Sequence, residues 1–276
     1  MPDSPWSDAG PFVPNFAGLI ERFAVPMQEA KAAASGNWAT ALDFWIADEF
    51  RRAGFPPNEV WPRDGLPTVL PREVAMLLEV AKEPLRSQLQ TLIAKTPRVA
   101  PRDARVLGRA YVKQVDVVMA QWSRGPELLV STKTMMSSFR KNLPNRFEEA
   151  YGDAANLRGR YPLAAIGFMF VMRASVLAEA GTLQRAIDML RKLRDLATYD
   201  ATGLILVDFA DDPDETDTPA VLEDEVPADL RASAFFDRII DRVLEVAPVD
   251  FHVGVRSNRL GSPLKIAEAD ESDAAG

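Results

Sequence analysis

Apolar residues recur at helical spacing through much of the first hundred residues, after an irregular arm at residues 1–14. The pattern predicts helix over Phe16–Arg52 and again over Arg72–Lys95. A stretch rich in proline and glycine, Gly54–Pro71, separates these segments and predicts loop or turns. We therefore expect an α-helical N-terminal region over residues 1–104.

The pattern changes near residue 105, where β-branched and apolar residues alternate over short runs. Strands are predicted at Val106–Met119 and Leu128–Thr134, and the turn at residues 123–126 would join them as a β-hairpin. The further predicted elements are a helix from an N-cap at Asn145 to Leu157, a strand at Tyr161–Arg173, a helix at Val176–Leu196, a strand at Gly203–Phe209, a helix at Leu230–Val246 and a strand at Val249–Val255. This order predicts an α/β domain over residues 105–265, with a mixed central sheet flanked by helices.

Composition limits the chemistry that this fold can carry. The chain has 276 residues, no cysteine and one histidine, His252, for which we expect a structural or surface role. Disulfides, cysteine nucleophiles and multi-histidine zinc sites are thereby excluded, and a Ser-His-Asp triad is disfavoured. A metal ion in this protein should be a hard cation held by carboxylates and backbone oxygens.

The charge distribution bears on the choice of partner. The formal net charge is −8, which argues against nucleic acid at first sight. However, ten acidic residues and no basic ones lie between Asp208 and Asp229, and the rest of the chain has a balance of +2. We interpret residues 208–229 as an acidic linker, a solubilising spacer or alternatively a nucleic-acid mimic, and residues 266–276 as a disordered tail.

No targeting signal is predicted. The N-terminal residues carry prolines and acids where a signal peptide has a basic and then an apolar segment. The longest apolar run, Pro162–Met172, is closed by Arg173 and is too short to span a bilayer. We therefore expect a cytoplasmic protein without a membrane partner.

One group of polar residues stands out within the predicted hairpin. Asp116 interrupts an apolar strand, and Lys133 lies near the end of the next strand. Because side chains alternate along a strand, Ser131 and Lys133 should point to the same face, where Asp116 can approach them. Burying either charge alone is costly, so pairing, metal binding or a position at the sheet rim is expected.

Over residues 105–175 this arrangement resembles the PD-(D/E)xK, or restriction-endonuclease-like, nucleases, which place an Asp on one strand and (D/E)xK on its neighbour. Asp116 matches the metal-binding Asp of that family, and Lys133 matches its catalytic Lys. The chain departs from the pattern at Ser131, where the second acidic ligand belongs. Either the site is inactive, or the carboxylate comes from the next helix, as in a branch with SxK, which here points to Glu148 and Glu149.

The resemblance implies a restriction-endonuclease-like fold and a metal-dependent DNA endonuclease of restriction or defence type, acting on DNA as a homodimer. It implies Mg²⁺ or Mn²⁺ held by Asp116, by Glu148 or Glu149 and by the backbone carbonyl of Thr132. Lys133 would orient the attacking water or stabilise the transition state. The basic residues flanking this site, which would contact the phosphate backbone, are Lys141, Arg146, Arg158 and Arg160.

Simpler interpretations stay open beside this one. An Asp and a Lys near the ends of adjacent strands commonly form an ion pair at the rim of a sheet, and adjacent glutamates commonly form a solvated helix face. A catalytically inert protein of the nuclease fold could bind DNA or a protein partner. An α/β interaction protein without nuclease ancestry would explain Ser131 without any relocated ligand. Trp122, in the predicted turn, is expected to have a packing role.

Overall fold

The structure is a computed structural model that describes residues 4–6, 10–28, 36–65, 67–96, 99, 101–196, 198–210 and 219–264. The predicted tail at residues 266–276 and the centre of the predicted acidic linker, residues 211–218, lie outside these ranges. No helix in the described ranges is both long enough and apolar enough to cross a membrane.

Among the first hundred residues, those that the structure describes are mainly helical, as predicted. Their elements are α1 (Phe16–Gln28), α2 (Gly36–Ala53), the two-residue strand β1 (Val60–Trp61), α3 (Arg72–Val80) and α4 (Leu85–Ala94). The predicted helix over Arg72–Lys95 is therefore two helices, which separate just before α4 at Pro84, because proline disfavours helical backbone in the residue that precedes it.

The described part of the chain after residue 101 begins with four strands and continues with strands and helices in turn. The elements are β2 (Ala104–Leu107), β3 (Val112–Val115), β4 (Val117–Gln121), β5 (Gly125–Met135), α5 (Phe139–Arg158), β6 (Ala165–Arg173), α6 (Thr182–Asp195), β7 (Ala201–Asp208), β8 (Ala220–Val221), α7 (Ala232–Val246) and α8 (Val253–Leu260). The predicted hairpin is present as β4 and β5, joined by a tight turn at residues 121–125.

Six of the strands form one mixed sheet in the order β1-β4-β5-β6-β7-β8. Strands β5, β6 and β7 run parallel, and the remaining neighbours are antiparallel. Strands β2 and β3 form a separate antiparallel ribbon. The protein is thus an α/β fold with a mixed central sheet flanked by helices, which confirms the predicted class.

The sheet has a hydrophobic core on each face. Helices α1, α2 and α7 cover one face with residues such as Trp45 and Phe236, while α5 and α6 cover the other with residues such as Phe147 and Leu190. The N-terminal arm joins the first core, since the Phe12 ring stacks on Phe236 with 4.7 Å between centroids. The predicted division at residues 104/105 therefore does not separate two cores.

Several of the predicted boundaries are wrong, and in two cases the start or the type of an element changes. Helix α5 begins at Phe139 rather than after Asn145, with Pro144 inside it. A proline there removes one helical hydrogen bond, and the burial of Phe139 and Leu143 against the sheet compensates for that loss. The predicted strand Val249–Val255 is instead a turn followed by α8, whose first turn buries Val255.

The predicted acidic linker is partly built into the fold. Its last acid, Asp229, forms ion pairs with Arg191 at 2.7 Å and Arg194 at 3.0 Å. Both arginines hold the pKa of this carboxyl well below its usual range, although burial opposes the shift. This end of the segment therefore fastens α6 to the chain that precedes α7 and is not a free spacer.

Candidate active site

Asp116 lies in the bend between β3 and β4, beside the strand that carries Lys133. Val117 pairs with Val130 across the antiparallel β4–β5 ladder, which brings Asp116 next to residues 131–132. The backbone N–H of Thr132 donates a hydrogen bond to Asp116 Oδ2 at 2.8 Å. The predicted approach of Asp116 to the end of β5 is therefore present, although Asp116 precedes its strand and does not interrupt it.

A second carboxylate reaches this place from helix α2, which sequence reasoning did not assign to the site. The Thr132 hydroxyl donates a hydrogen bond to Asp43 Oδ1 at 2.6 Å. Thr132 thus links Asp43 through its side chain and Asp116 through its backbone. One signal was available, because Asp43 is an acid within the apolar run Ala41-Leu-Asp-Phe-Trp-Ile46 that packs against the sheet.

The two carboxyl groups raise the cost of each other's ionisation. Burial raises the pKa of Asp43 well above its usual range, and the charge of Asp116 raises it further. Burial also raises the pKa of Asp116, although the Thr132 N–H, Lys133 and Lys113 act in the opposite direction. Two half-buried carboxylates that repel one another form a place where a cation would be stabilised.

Lys133 pairs with the helix carboxylate that follows it. Its Nζ lies 3.5 Å from Glu149 Oε2, and Glu149 also bonds to Arg146 at 3.2 Å. Burial opposes ionisation of Glu149, but Lys133 and Arg146 outweigh it and hold the pKa of this carboxyl below its usual value. The predicted α5 carboxylate thus reaches Lys133, whereas the neighbouring Glu148 side chain is exposed to solvent.

Ser131 turns away from the two aspartates. It is buried near Tyr199, whose hydroxyl donates to the Ala150 carbonyl at 2.9 Å. Burial raises the pKa of Tyr199, so this phenol stays neutral. An acidic residue at position 131 would therefore face the interior between β5 and α5, which explains why the chain can carry serine there.

A further acid on α5, Asp153, lies close enough to Asp116 for their charges to interact. Asp153 is buried and forms an ion pair with Lys113 at 2.6 Å, and the Tyr111 hydroxyl donates to it at 3.4 Å. Asn156 holds this ribbon against α5, because its Oδ1 accepts the N–H of Ala110 at 2.8 Å. Asp153 lies four residues after Glu149 on α5, so the sequence alone indicates that both acids share one face of the helix.

A cleft of about 490 Å³ opens over the aspartate pair. Its polar lining includes Asp43, Asp116, Thr68, Gln114 and Arg102. Arg102 is exposed and provides a positive charge at the wall of the cleft. The two carboxylates would repel a group with negative oxygens. Such a group could approach only together with a cation that neutralises the carboxylates.

The residues expected to contact phosphate have different surroundings. Lys141 and Arg160 are exposed, and Arg160 lies over the Tyr161 ring at 5.9 Å from its centroid. Arg146 is engaged by Glu149. Arg158 pairs with Asp200 at 2.6 Å and donates to the carbonyls of Pro162 and Ala164, so that its guanidinium ties α5 to the sheet.

The donor set can be compared with what a metal ion requires. Within the described ranges, no group of three or more His, Cys, Asp or Glu side chains is arranged to hold a metal. The pair Asp43 and Asp116 fits a cation such as Mg²⁺, which commonly binds one or two carboxylates and keeps several waters. The Thr132 carbonyl as a further ligand stays a prediction.

We compared the chain with models of known protein families, with curated proteins and with solved structures, and found no significant match in any of the three. The function must therefore be argued from the site itself.

Proposed function

We propose that this protein is a metal-dependent endonuclease that hydrolyses phosphodiester bonds in DNA, with a restriction-endonuclease-like core and a role in restriction or defence. The observation that carries the proposal is the meeting of Asp43 and Asp116 on Thr132, beside Lys133 at the end of β5. An Asp and a Lys on adjacent strands are the arrangement that the nuclease resemblance rests on. DNA as substrate and a homodimeric state belong to the same proposal.

Each residue then has a defined task. Asp43 and Asp116 would hold Mg²⁺ or Mn²⁺, which supplies a water of lowered pKa and neutralises charge on the phosphate oxygens. Thr132 holds both carboxylates in place through its N–H and its hydroxyl. Lys133 would stabilise the negative charge that develops on the phosphate, and its ion pair with Glu149 orients the ammonium group.

The second acidic ligand, in this account, comes from α2 and not from α5. Glu149 is engaged by Lys133 and Arg146, and Glu148 faces solvent. Asp43 is the carboxylate whose pKa responds to the charge of Asp116. The double variant Glu148→Ala/Glu149→Ala should therefore keep its affinity for the metal while losing the orientation of Lys133.

Plasmid nicking with Mg²⁺ or Mn²⁺, over a panel of DNA substrates, tests the proposal. Wild-type protein should nick, and Asp43→Ala and Asp116→Ala should abolish both nicking and metal binding. Lys133→Ala should retain metal binding but lose nicking. The matched controls are Asp188→Ala and Lys192→Ala, which disrupt a surface ion pair on α6 and should leave activity unchanged. Activity that survives Asp116→Ala would refute the proposal.

A second candidate function is a catalytically inert protein of the same fold that binds DNA or a protein partner. It is favoured by one observation, namely that Ser131 faces Tyr199 and supplies no acid to the site. Wild-type protein that binds DNA tightly but never nicks it, with either metal, would support this candidate over the enzyme.

A further inference from the structure

A second cleft, of about 670 Å³, lies at the opposite end of β4 from Asp116. Two tryptophans, Trp61 and Trp122, contribute to its largely apolar lining, together with Arg72, Glu73 and Gln121. The volume lies within the range of clefts that enclose a small molecule or a single planar group. The cleft is separate from the one that contains the aspartate pair.

Trp122 does not have the packing role expected from its position in the turn. Its side chain is 94% exposed, at the tip of the β4–β5 hairpin. Trp61 is half-buried and fixed, because its indole N–H donates to the Leu70 carbonyl at 2.9 Å. The cleft therefore combines one anchored ring with one ring that is open to solvent, and a planar ligand would remove apolar surface of both from water.

Polar groups at the cleft provide a hydrogen-bonding edge. Gln121 Nε2 donates to Glu73 Oε1 at 3.1 Å, while Gln121 Oε1 accepts the Ser123 N–H at 2.6 Å. A primary amide has two N–H groups and a carboxylate has two oxygens, so this pair can present a donor beside an acceptor. The edges of nucleobases carry the complementary arrangement of donors and acceptors.

Arg72 adds a positive charge at the cleft. Its guanidinium bonds to the buried carboxylate of Glu59 at 3.1 Å, while 40% of the Arg72 side chain is exposed. An arginine held in this way can contact a phosphate without losing its partner. Stacking rings, a donor–acceptor edge and a cation are together the features that bind a single unstacked nucleotide.

We propose that this cleft binds a nucleobase that has left the helical stack of a nucleic acid. The choice of a nucleobase over other planar groups rests on the proposed nuclease function. Gln121 lies five residues after Asp116 along an extended strand, a span of roughly 17 Å. The bound base would therefore be distinct from the nucleotide whose phosphate is cleaved, and its binding can be measured without cleavage.

The test compares the binding of two labelled duplexes by fluorescence anisotropy in EDTA, one with a single bulged adenine and one fully paired. Wild-type protein should prefer the bulged duplex roughly 5- to 140-fold, the range expected for stacking of one base on aromatic side chains. Trp122→Ala should lose this preference, and Trp122→Phe should keep most of it. The control Leu163→Ala removes another side chain that is highly exposed, outside the cleft, and should bind as wild type.

Equal affinity of the wild-type protein for both duplexes, or a preference that survives Trp122→Ala, would overturn the proposal. A dimer that forms in solution with the wild-type protein and dissociates with Trp122→Ala would also overturn the proposal, because a second copy of the chain would then occupy the cleft. If the protein nicks plasmid but shows no preference for the bulge, the proposed nucleobase site is refuted and the nuclease proposal stands. If the preference depends on Trp122 but no nicking occurs, the nucleobase site stands and the nuclease proposal is refuted.

Discussion

Replacing Asp43 with asparagine should stabilise the metal-free protein at neutral pH. The aspartate is half-buried at the wall of the cleft, and burial and the charge of Asp116 both raise its pKa. Asparagine has nearly the same shape, and its carbonyl oxygen can accept the hydrogen bond that the Thr132 hydroxyl now donates to Asp43. The substitution therefore removes a costly charge while keeping the contact.

The size of the effect follows from the link between a pKa and the free energy of unfolding. A carboxyl whose pKa is raised in the folded state destabilises that state once pH exceeds the unfolded value, which is 3.8 for Asp43. The advantage of Asp43→Asn should thus be absent below this pH, grow as pH rises from this value towards the folded pKa, and level off above it, at about 1 kcal/mol, the usual size of a single substitution's effect. For a chain of this size that is roughly 2–4 °C in Tm.

A divalent cation should reverse the order of stability. Mg²⁺ at 100 times its Kd would stabilise the wild-type protein by about 2.7 kcal/mol, whereas Asp43→Asn lacks one of the two charged ligands. The Tm of the wild-type protein and of Asp43→Asn is measured by thermal melts in EDTA and in Mg²⁺, each at pH 4 and at pH 7. Asp188→Asn, on the surface of α6, is the control. A lower Tm for Asp43→Asn in EDTA at pH 7, or an equal gain from Mg²⁺ in both proteins, would refute the reasoning.

Two further substitutions test the fold that holds this site. Ser131→Glu places a carboxylate against Tyr199, so it should cost about 2–4 kcal/mol in chemical denaturation, and stability equal to wild type together with tighter metal binding would contradict the orientation of Ser131. Phe236→Ala removes a ring that packs on Phe12, Trp45 and Phe50, and we expect a loss of about 3–5 kcal/mol in one cooperative transition. A separate transition for the N-terminal helices would show that they do not share the core.

The central elements of the fold could be predicted from sequence because their patterns are local. The β4–β5 hairpin follows from alternation around a short turn, and the buried strand β6 follows from an uninterrupted apolar run. The strand predicted at Val249–Val255 is wrong, although its four apolar residues alternate as they would in a strand. Tertiary contacts favour the helix here, because Arg256 in α8 donates to the carbonyls of Leu244 and Ala247 at the end of α7.

The candidate site was predicted in part for the same reason. Asp116 lies just before β4 and Lys133 lies on β5, so their proximity follows from one hairpin. Asp43 lies 89 residues before Thr132 in the chain, and its contact depends on how α2 packs across the sheet. No local pattern encodes that packing.

The central claim is that Asp43 and Asp116 hold one divalent cation beside Lys133. A crystal grown with Mn²⁺, with diffraction recorded at the manganese absorption edge, tests it most directly, because the anomalous signal places the metal without reference to any assumed ligand. The account predicts a peak within about 2–2.6 Å of a carboxylate oxygen from each aspartate. A peak at Glu148 and Glu149, or a fully occupied Mn²⁺ site away from Asp43 and Asp116, would contradict it.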